Sequence, residues 1–133
     1  MMWGPPPQEA QDAGIMNWYD CHWRTLNVKN TAEIPLFGDS WAEGGCPMSC
    51  DSVPEYDGEA IGSAIGVGEM SRVCVNRHNG AINNVFFDLS VRKIGLKSLW
   101  KQRWHRGYDF NGGPIDGEPF PIGWPDWMKN FGY

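Results

Sequence analysis

The sequence predicts an α+β fold made of an antiparallel β-meander, a short amphipathic helix and long loops. Residues 71–94 alternate apolar and polar side chains in short runs separated by turn residues, which is typical of antiparallel strands. After Gly95 the apolar spacing changes to a helical period. The 17 glycines and 10 prolines among 133 residues indicate many turns and few long elements.

Two tight turns divide the meander into three strands. The pair Asn79 and Gly80 favours a turn with positive φ angles, which separates a strand at 71–76 from the most strand-like segment, 81–87. A second turn at Asp88 leads into a short third strand. Polar side chains in such turns commonly bond to nearby backbone groups. We therefore expect a structural role for four turn residues: His78, Asn79, Gly80 and Asp88.

Two further elements flank the meander. Residues 34–37 form a short buried strand, which Pro35 confines to an edge or an entry position. Residues 96–104 form a helix whose apolar face includes Leu96 and Trp100. Its basic residues are either ordinary solvated side chains or an interface for the acidic loop of a neighbouring chain: Lys97, Lys101 and Arg103.

Length and charge limit the domain organisation and the partners. We expect a flexible Pro-rich segment at 1–16 and a single globular domain at 17–133. The net charge of −5 offers no basic surface for nucleic acid. The sequence has no apolar run long enough to span a membrane, and its start lacks the pattern of a signal peptide.

The four cysteines allow structural disulfides, free thiols or a metal site. The short spacing between Cys46 and Cys50 favours a local disulfide, which leaves Cys21 to pair with Cys74. A zinc site is less favoured because the usual two-residue spacing between cysteines and a pair of histidines are missing. Disulfides would indicate an extracytoplasmic setting.

A loop of acidic residues is the candidate cation site. Asp51, Asp57 and Glu59 are hard oxygen donors of the kind that calcium prefers, although such a charge run can also be simply solvated. No other cofactor is predicted. The sequence has no nucleophile elbow, phosphate-binding loop or His-Glu-x-x-His motif, so we predict that the protein is not an enzyme.

The order of several motifs resembles the C-terminal globular part of bacterial pseudopilin-like proteins of the prepilin type, found in type II secretion. The family signature is His, nine residues, then Asp-Gly. Here His78 and Asp88 have this spacing, and Leu89 replaces the glycine. Segments at 23–28, 30–41, 95–106 and 124–128 follow the same family order. The hydrophobic N-terminal helix of such proteins is absent from this sequence.

The resemblance implies a pilin-like head in an extracellular or envelope-associated filament, which acts by self-association. The targeting segment that such a location requires is absent from this sequence, and we expect it to precede the chain. Related proteins often use calcium to hold a loop, which favours a calcium site in the acidic loop. The alternative function is an extracellular carbohydrate-binding module, because the eight tryptophans can supply flat stacking surfaces.

Overall fold

The described part of the chain folds around a three-stranded antiparallel sheet. The computed structural model describes residues 23, 25, 27–42, 46–61, 68–108 and 123–132. Its strands are β1 (Pro35–Gly38), β2 (Ala81–Phe86) and β3 (Val91–Gly95). Its short 3-10 helices are η1 (Thr31–Glu33), η2 (Glu69–Arg72), η3 (Leu96–Lys101) and η4 (Asp126–Met128). The fold is thus a small mixed α+β fold. The predicted flexible segment at 1–16 lies outside the described residues.

The sheet has the strand order β1-β2-β3, with both neighbouring pairs antiparallel. Val85 in the central strand is paired with Phe37 on one side and Val91 on the other. Pro35 lies on the edge strand, as predicted, where its missing N–H leaves no gap in the interior of the sheet. The pairing register shifts between Pro35 and Phe37, so β1 contains a bulge.

The turn between β2 and β3 holds a leucine in the left-handed region. Leu89 has a φ of 64° and is 79% exposed. Its N–H donates to the carbonyl of Phe86 at 2.9 Å, and the Asp88 carboxylate accepts the N–H of Ser90 at 3.0 Å. These bonds hold a conformation that glycine adopts without strain and leucine does not.

The strand predicted at 71–76 is wrong. Residues Glu69–Arg72 form η2, and residues 73–76 after it have no strand pairing. Val73 and Cys74 both donate to the carbonyl of Met70, at 3.1 and 2.9 Å, in helix-like turns. Burial is continuous rather than alternating, since Val73, Cys74 and Val75 are all at most 4% exposed. The place beside β2 is taken by β1 instead.

The helix predicted at 96–104 is shorter and tighter than expected. Leu96–Lys101 form η3, and the backbone becomes extended at Gln102. The N–H of Arg103 then donates to the carbonyl of Glu33 at 2.9 Å, next to β1. This long-range bond ends the helix and ties its exit to the edge of the sheet.

The core lies between the inner face of the sheet, η3 and the segment after η2. Ile82, Phe86 and Ile94 supply the apolar side chains of the sheet. The other core members are Met70, Val73, Cys74, Val75, Leu96, Leu99, Trp100, Trp104, Tyr108 and Met128. In the described part of the chain, no helix has the length and apolar character needed to span a bilayer.

The strained turn predicts a stabilising substitution. Leu89→Gly should raise the free energy of unfolding by about 0.5–1 kcal/mol, because relief of left-handed strain exceeds the added chain entropy. Val91→Gly is the matched control, since Val91 is also exposed but lies in regular β3. It should lower the free energy of unfolding by about 1 kcal/mol. Urea denaturation measures both, and a loss of stability in Leu89→Gly would contradict this account of the turn.

Candidate functional site

A polar cluster at the surface joins the end of β1 to the first turn of the meander. His78 Nε2 lies 2.9 Å from Asp39 Oδ2 and 2.8 Å from the side-chain amide of Asn83. The same Asp39 oxygen accepts the backbone N–H of Asn83 at 2.9 Å. A carboxylate oxygen only accepts, so the contact with Asp39 is a hydrogen bond when Nε2 carries a proton, whereas the Asn83 amide can donate to Nε2 only in the other tautomer. We call Asp39, His78 and Asn83 the polar cluster.

The turn beside this cluster has the geometry that its sequence predicts. Asn79 and Gly80 have φ angles of 52° and 80°, so both adopt left-handed conformations. The N–H of Gly80 donates to the Asn76 side chain at 2.7 Å. A Cβ at Gly80 would also collide with the ring of Phe131. Glycine is therefore required here by the backbone conformation and by the packing of the C-terminal segment.

Asp88 does not join His78. It lies beyond the opposite end of β2, where its carboxylate accepts the N–H and hydroxyl of Ser90 at 3.0 and 2.6 Å. These bonds lower the pKa of Asp88. The two ends of the His-x9-Asp motif thus lie apart. Asp88 bonds within its own turn, whereas the His78 ring contacts the Asp39 and Asn83 side chains and not the backbone of its own turn.

The described contacts of the polar cluster place an aspartate–histidine pair beside a side-chain amide. An aspartate–histidine pair needs a positioned nucleophile for acyl chemistry, or at least one more ligand for a metal. Among the residues that the structure describes, no group of three histidine, cysteine, aspartate or glutamate side chains is arranged to hold a metal ion. The described contacts of the cluster connect the end of β1 to the turn and to the start of β2.

Asp51, predicted as a calcium ligand, is instead a buried structural acceptor. It is 5% exposed, and its carboxylate accepts the N–H groups of Met48 at 2.9 Å, Gly68 at 3.0 Å and Met70 at 2.9 Å. Its own carbonyl accepts Trp100 Nε1–H at 3.0 Å. Burial raises the pKa of Asp51, with Glu69 adding to the rise, and the backbone hydrogen bonds oppose it.

The other two predicted calcium ligands bond to their own surroundings. The Asp57 carboxylate accepts the N–H of Asn76 at 2.8 Å, and Glu59 accepts the N–H of Glu55 at 2.6 Å. Asp57 is exposed, whereas Asp51 is in the interior. The structure therefore does not bring the three carboxylates together, because each one satisfies a different part of the loop.

Lys97, predicted as part of a basic interface, is buried. It is 6% exposed, and its ammonium group donates to the carbonyls of Phe131 at 2.7 Å and Lys129 at 3.2 Å. In a 3-10 helix, residues four apart point about 120° away from each other, so Lys97 and Lys101 do not share a face. Lys101 is exposed and Arg103 is partly buried. Of the three residues expected at a basic interface, Lys97 therefore does not lie at the surface.

The predicted disulfide between Cys46 and Cys50 is not formed in the structure. None of Cys46, Cys50 and Cys74 takes part in a disulfide, and Cys21 lies outside the described residues. Cys46 is held in the interior, where its N–H donates to Glu69 Oε2 at 2.8 Å, whereas Cys50 is exposed. Burial, with a smaller effect from Asp57, raises the pKa of the Cys74 thiol to about 12.

A second histidine, His105, is buried against the core. It is 5% exposed, and its ring packs edge-on against Tyr108 with the ring centres 5.4 Å apart. Burial lowers the pKa of His105 to about 4, and the nearby backbone of Pro47 offsets part of this effect. His105 is therefore neutral at neutral pH and has a structural role.

Sequence reasoning missed Asp39 and Asn83 as partners of His78. A signal was present, because pairing the predicted strands 34–37 and 81–87 in antiparallel order places residue 39 near the start of the second strand. Comparison of the chain with protein-family models, curated proteins and solved structures finds no match. The resemblance to pseudopilin-like proteins therefore rests on the motif residues alone.

Removal of the Asp51 carboxylate should be strongly destabilising. Asp51→Ala leaves three backbone N–H groups without their acceptor and should lower the free energy of unfolding by about 3–5 kcal/mol. Asp51→Asn keeps one acceptor oxygen and should cost about 1–2 kcal/mol. The control is Asp57→Ala, which removes one exposed acceptor and should cost less than about 1 kcal/mol. Equal losses for the two alanine variants in urea denaturation would contradict the structural role of Asp51.

The buried His105 predicts a loss of stability in acid. The unfolded chain takes up this proton near pH 6.5 and the folded chain only near pH 4. Protonation therefore favours unfolding, and the free energy of unfolding should fall by about 3 kcal/mol as the pH drops through this window. His105→Phe retains a ring without a titrating group, so its stability should fall less. Urea denaturation of both proteins from pH 7 to pH 4 measures the difference, and parallel profiles would refute it.

Proposed function

We propose that the chain is the head domain of a subunit of a pseudopilus or a related extracellular filament, and that it acts by self-association. The observation that carries this proposal is the structural use of the motif residues. His78 links β1 to the meander through Asp39, and Trp41 donates through its backbone N–H to the carbonyl of Arg72 and through Nε1 to that of Ser71. The residues that carry the resemblance thus hold segments together that are far apart in the sequence.

A rigid head suits assembly. Each segment that must become ordered on contact reduces affinity, so a subunit that acts by repeated contacts gains from fixed loops and ends. The C-terminal segment is fixed in this way. Lys97 donates to two of its carbonyls, and Trp127 Nε1–H donates to the carbonyl of Pro54 at 2.9 Å. The aromatic residues near this end therefore pack onto the domain.

The positions of the tryptophans give less support to the carbohydrate-binding alternative. Trp100 and Trp104 are 1% and 8% exposed and belong to the core. Among the described tryptophans, Trp41 alone is largely exposed, at 43%. A sugar platform of several coplanar rings would require more than one exposed tryptophan on a common surface.

The proposal predicts that the protein is found in extracellular filaments. Antibodies raised against the purified chain should label surface filaments by immunogold electron microscopy of cells that produce it. The filament fraction released by shearing should contain the chain. Label confined to the cell interior, or a chain that remains fully dispersed after release, would contradict the proposal.

A glycan-binding assay distinguishes the alternative. The purified chain should show no binding to a panel of oligosaccharides, and Trp41→Ala should behave like the wild type, because Trp41 is used to hold η2. Trp127→Phe is the control for a general loss of structure, since it removes one indole hydrogen bond from a partly buried side chain. Glycan binding that Trp41→Ala abolishes and Trp127→Phe retains would favour the binding-module function.

A further inference from the structure

The outward face of the sheet carries two rows of side chains that cross all three strands. The strand pairing aligns an apolar row of Phe37, Val85 and Val91. A polar row lies beside it, because the Asp39 N–H donates to the Asn83 carbonyl at 3.1 Å and Asn83 is paired with Lys93. We call the six residues of these rows the outer sheet face.

The outer sheet face is exposed on its two outer strands, partly buried at Val85 between them, and closed at both ends. Asn84, next to both rows, is 1% exposed and faces the core opposite Gly38, so residues 37 and 39 face outward. Phe37 is 53% exposed and Val91 is 70% exposed. At one end of the face, Trp23 packs against Phe87 with the ring centres 6.4 Å apart. At the other end, Ala81 is buried.

Opposite charges lie at the two margins of this face. Asp39 is on the β1 side and Lys93 is on the β3 side, with neutral Asn83 between them. A two-fold axis parallel to β2 reverses this order in a second copy placed face to face. Asp39 of one copy then lies over Lys93 of the other, and the same pair forms again on the other side of the axis. The same operation places Phe37 over Val91 of the second copy.

We propose that the outer sheet face is a self-complementary contact between two copies of this chain. Two sheets packed in this way lie about 10 Å apart with their strands roughly aligned, so the two apolar rows fill the space between them. The choice of a second copy as the occupant rests on the proposed function of self-association. A two-fold contact is closed, so it joins chains in pairs and leaves filament growth to other surfaces.

The size of the face sets the strength of the contact. The two outer strands of a three-stranded sheet are only about 10 Å apart, so the buried area is below that of a stable interface. We expect a dissociation constant of about 0.1–1 mM for the isolated chain. Chains held close together in an assembly would use such a weak contact effectively, because their local concentration is high.

Charge reversal tests the proposed pairing directly. In Lys93→Glu, Asp39 of each copy faces a glutamate of the other copy, so both charge contacts become repulsive. Dimerisation should weaken about fivefold to tenfold in sedimentation equilibrium. Asp39→Lys should weaken it in the same way. An equimolar mixture of the two variants should regain dimers, since each variant then faces the opposite charge at both contacts. Lys101→Glu is the control, because Lys101 is exposed outside the outer sheet face, and it should leave the dimer unchanged.

A second variant covers the case in which Asp39→Lys fails to fold. Val91→Asp changes an exposed residue of the apolar row and should abolish the dimer, while it lowers the free energy of unfolding no more than Val91→Gly does, because both variants lose strand propensity. Val91→Thr should retain the dimer. A wild-type chain that stays monomeric at 1 mM (about the weakest affinity expected) would overturn the proposal. A dimer whose dissociation constant is unchanged by Lys93→Glu and by Val91→Asp would overturn it as well. Monomers that Val91→Asp destabilises far more than Val91→Gly does would show that the chain covers this face itself, which also overturns the proposal.

The tests of the two proposals have separate outcomes. One outcome is that filaments contain the chain but the purified chain stays monomeric. That outcome would support the proposed function and rule out the outer sheet face as a contact between two copies. The other outcome is that the purified chain forms dimers that respond to charge reversal while cells show no labelled filaments. That result would support the outer sheet face as a contact and contradict the proposed function.

Discussion

The buried carboxylate of Asp51 is the constraint on which the rest of the structure depends. It accepts N–H groups from Met48, Gly68 and Met70, which belong to two loop segments far apart in the sequence. Its carbonyl accepts the indole N–H of Trp100 at the centre of the core. One residue therefore joins the cysteine-containing loop, the start of η2 and the helix η3. Without regular secondary structure in these loops, their backbone groups need such an acceptor.

The same physical requirement explains other polar residues of the domain. Glu69 accepts the N–H of Cys46 in the interior, and Lys97 donates to carbonyls of the C-terminal segment. A chain with short strands and 3-10 helices leaves many backbone groups without partners from regular structure. Side chains supply those partners, so residues with charges become part of the framework. Glu69 and Lys97 are accordingly buried, with their charged groups directed at the backbone of the domain.

Local sequence patterns predicted the β2–β3 hairpin and the edge strand β1, because alternation and turn residues act within a few positions. They predicted a strand at 71–76, where the structure has the end of η2 and the segment after it, because Val73 and Val75 have the spacing of a strand. Both valines are in fact buried, together with Cys74 between them. The sequence also suggested Asp51 and Lys97 as surface residues. Their burial depends on loops and a C-terminal segment that return from distant positions, and no periodicity records such contacts. The polar cluster was predicted only in part, through His78.

The central claim is that the Asp51 carboxylate fixes the loops by accepting backbone hydrogen bonds. Amide hydrogen exchange measured by NMR tests it at the three donors. The account predicts that the N–H groups of Gly68 and Met70 exchange only through global unfolding, with the N–H of Met48 slowed to a lesser degree because it is partly buried. All three should lose protection together in Asp51→Ala, which removes both acceptor oxygens. Exchange of these amides at the rate of the exposed loop residues in the native protein would contradict the claim.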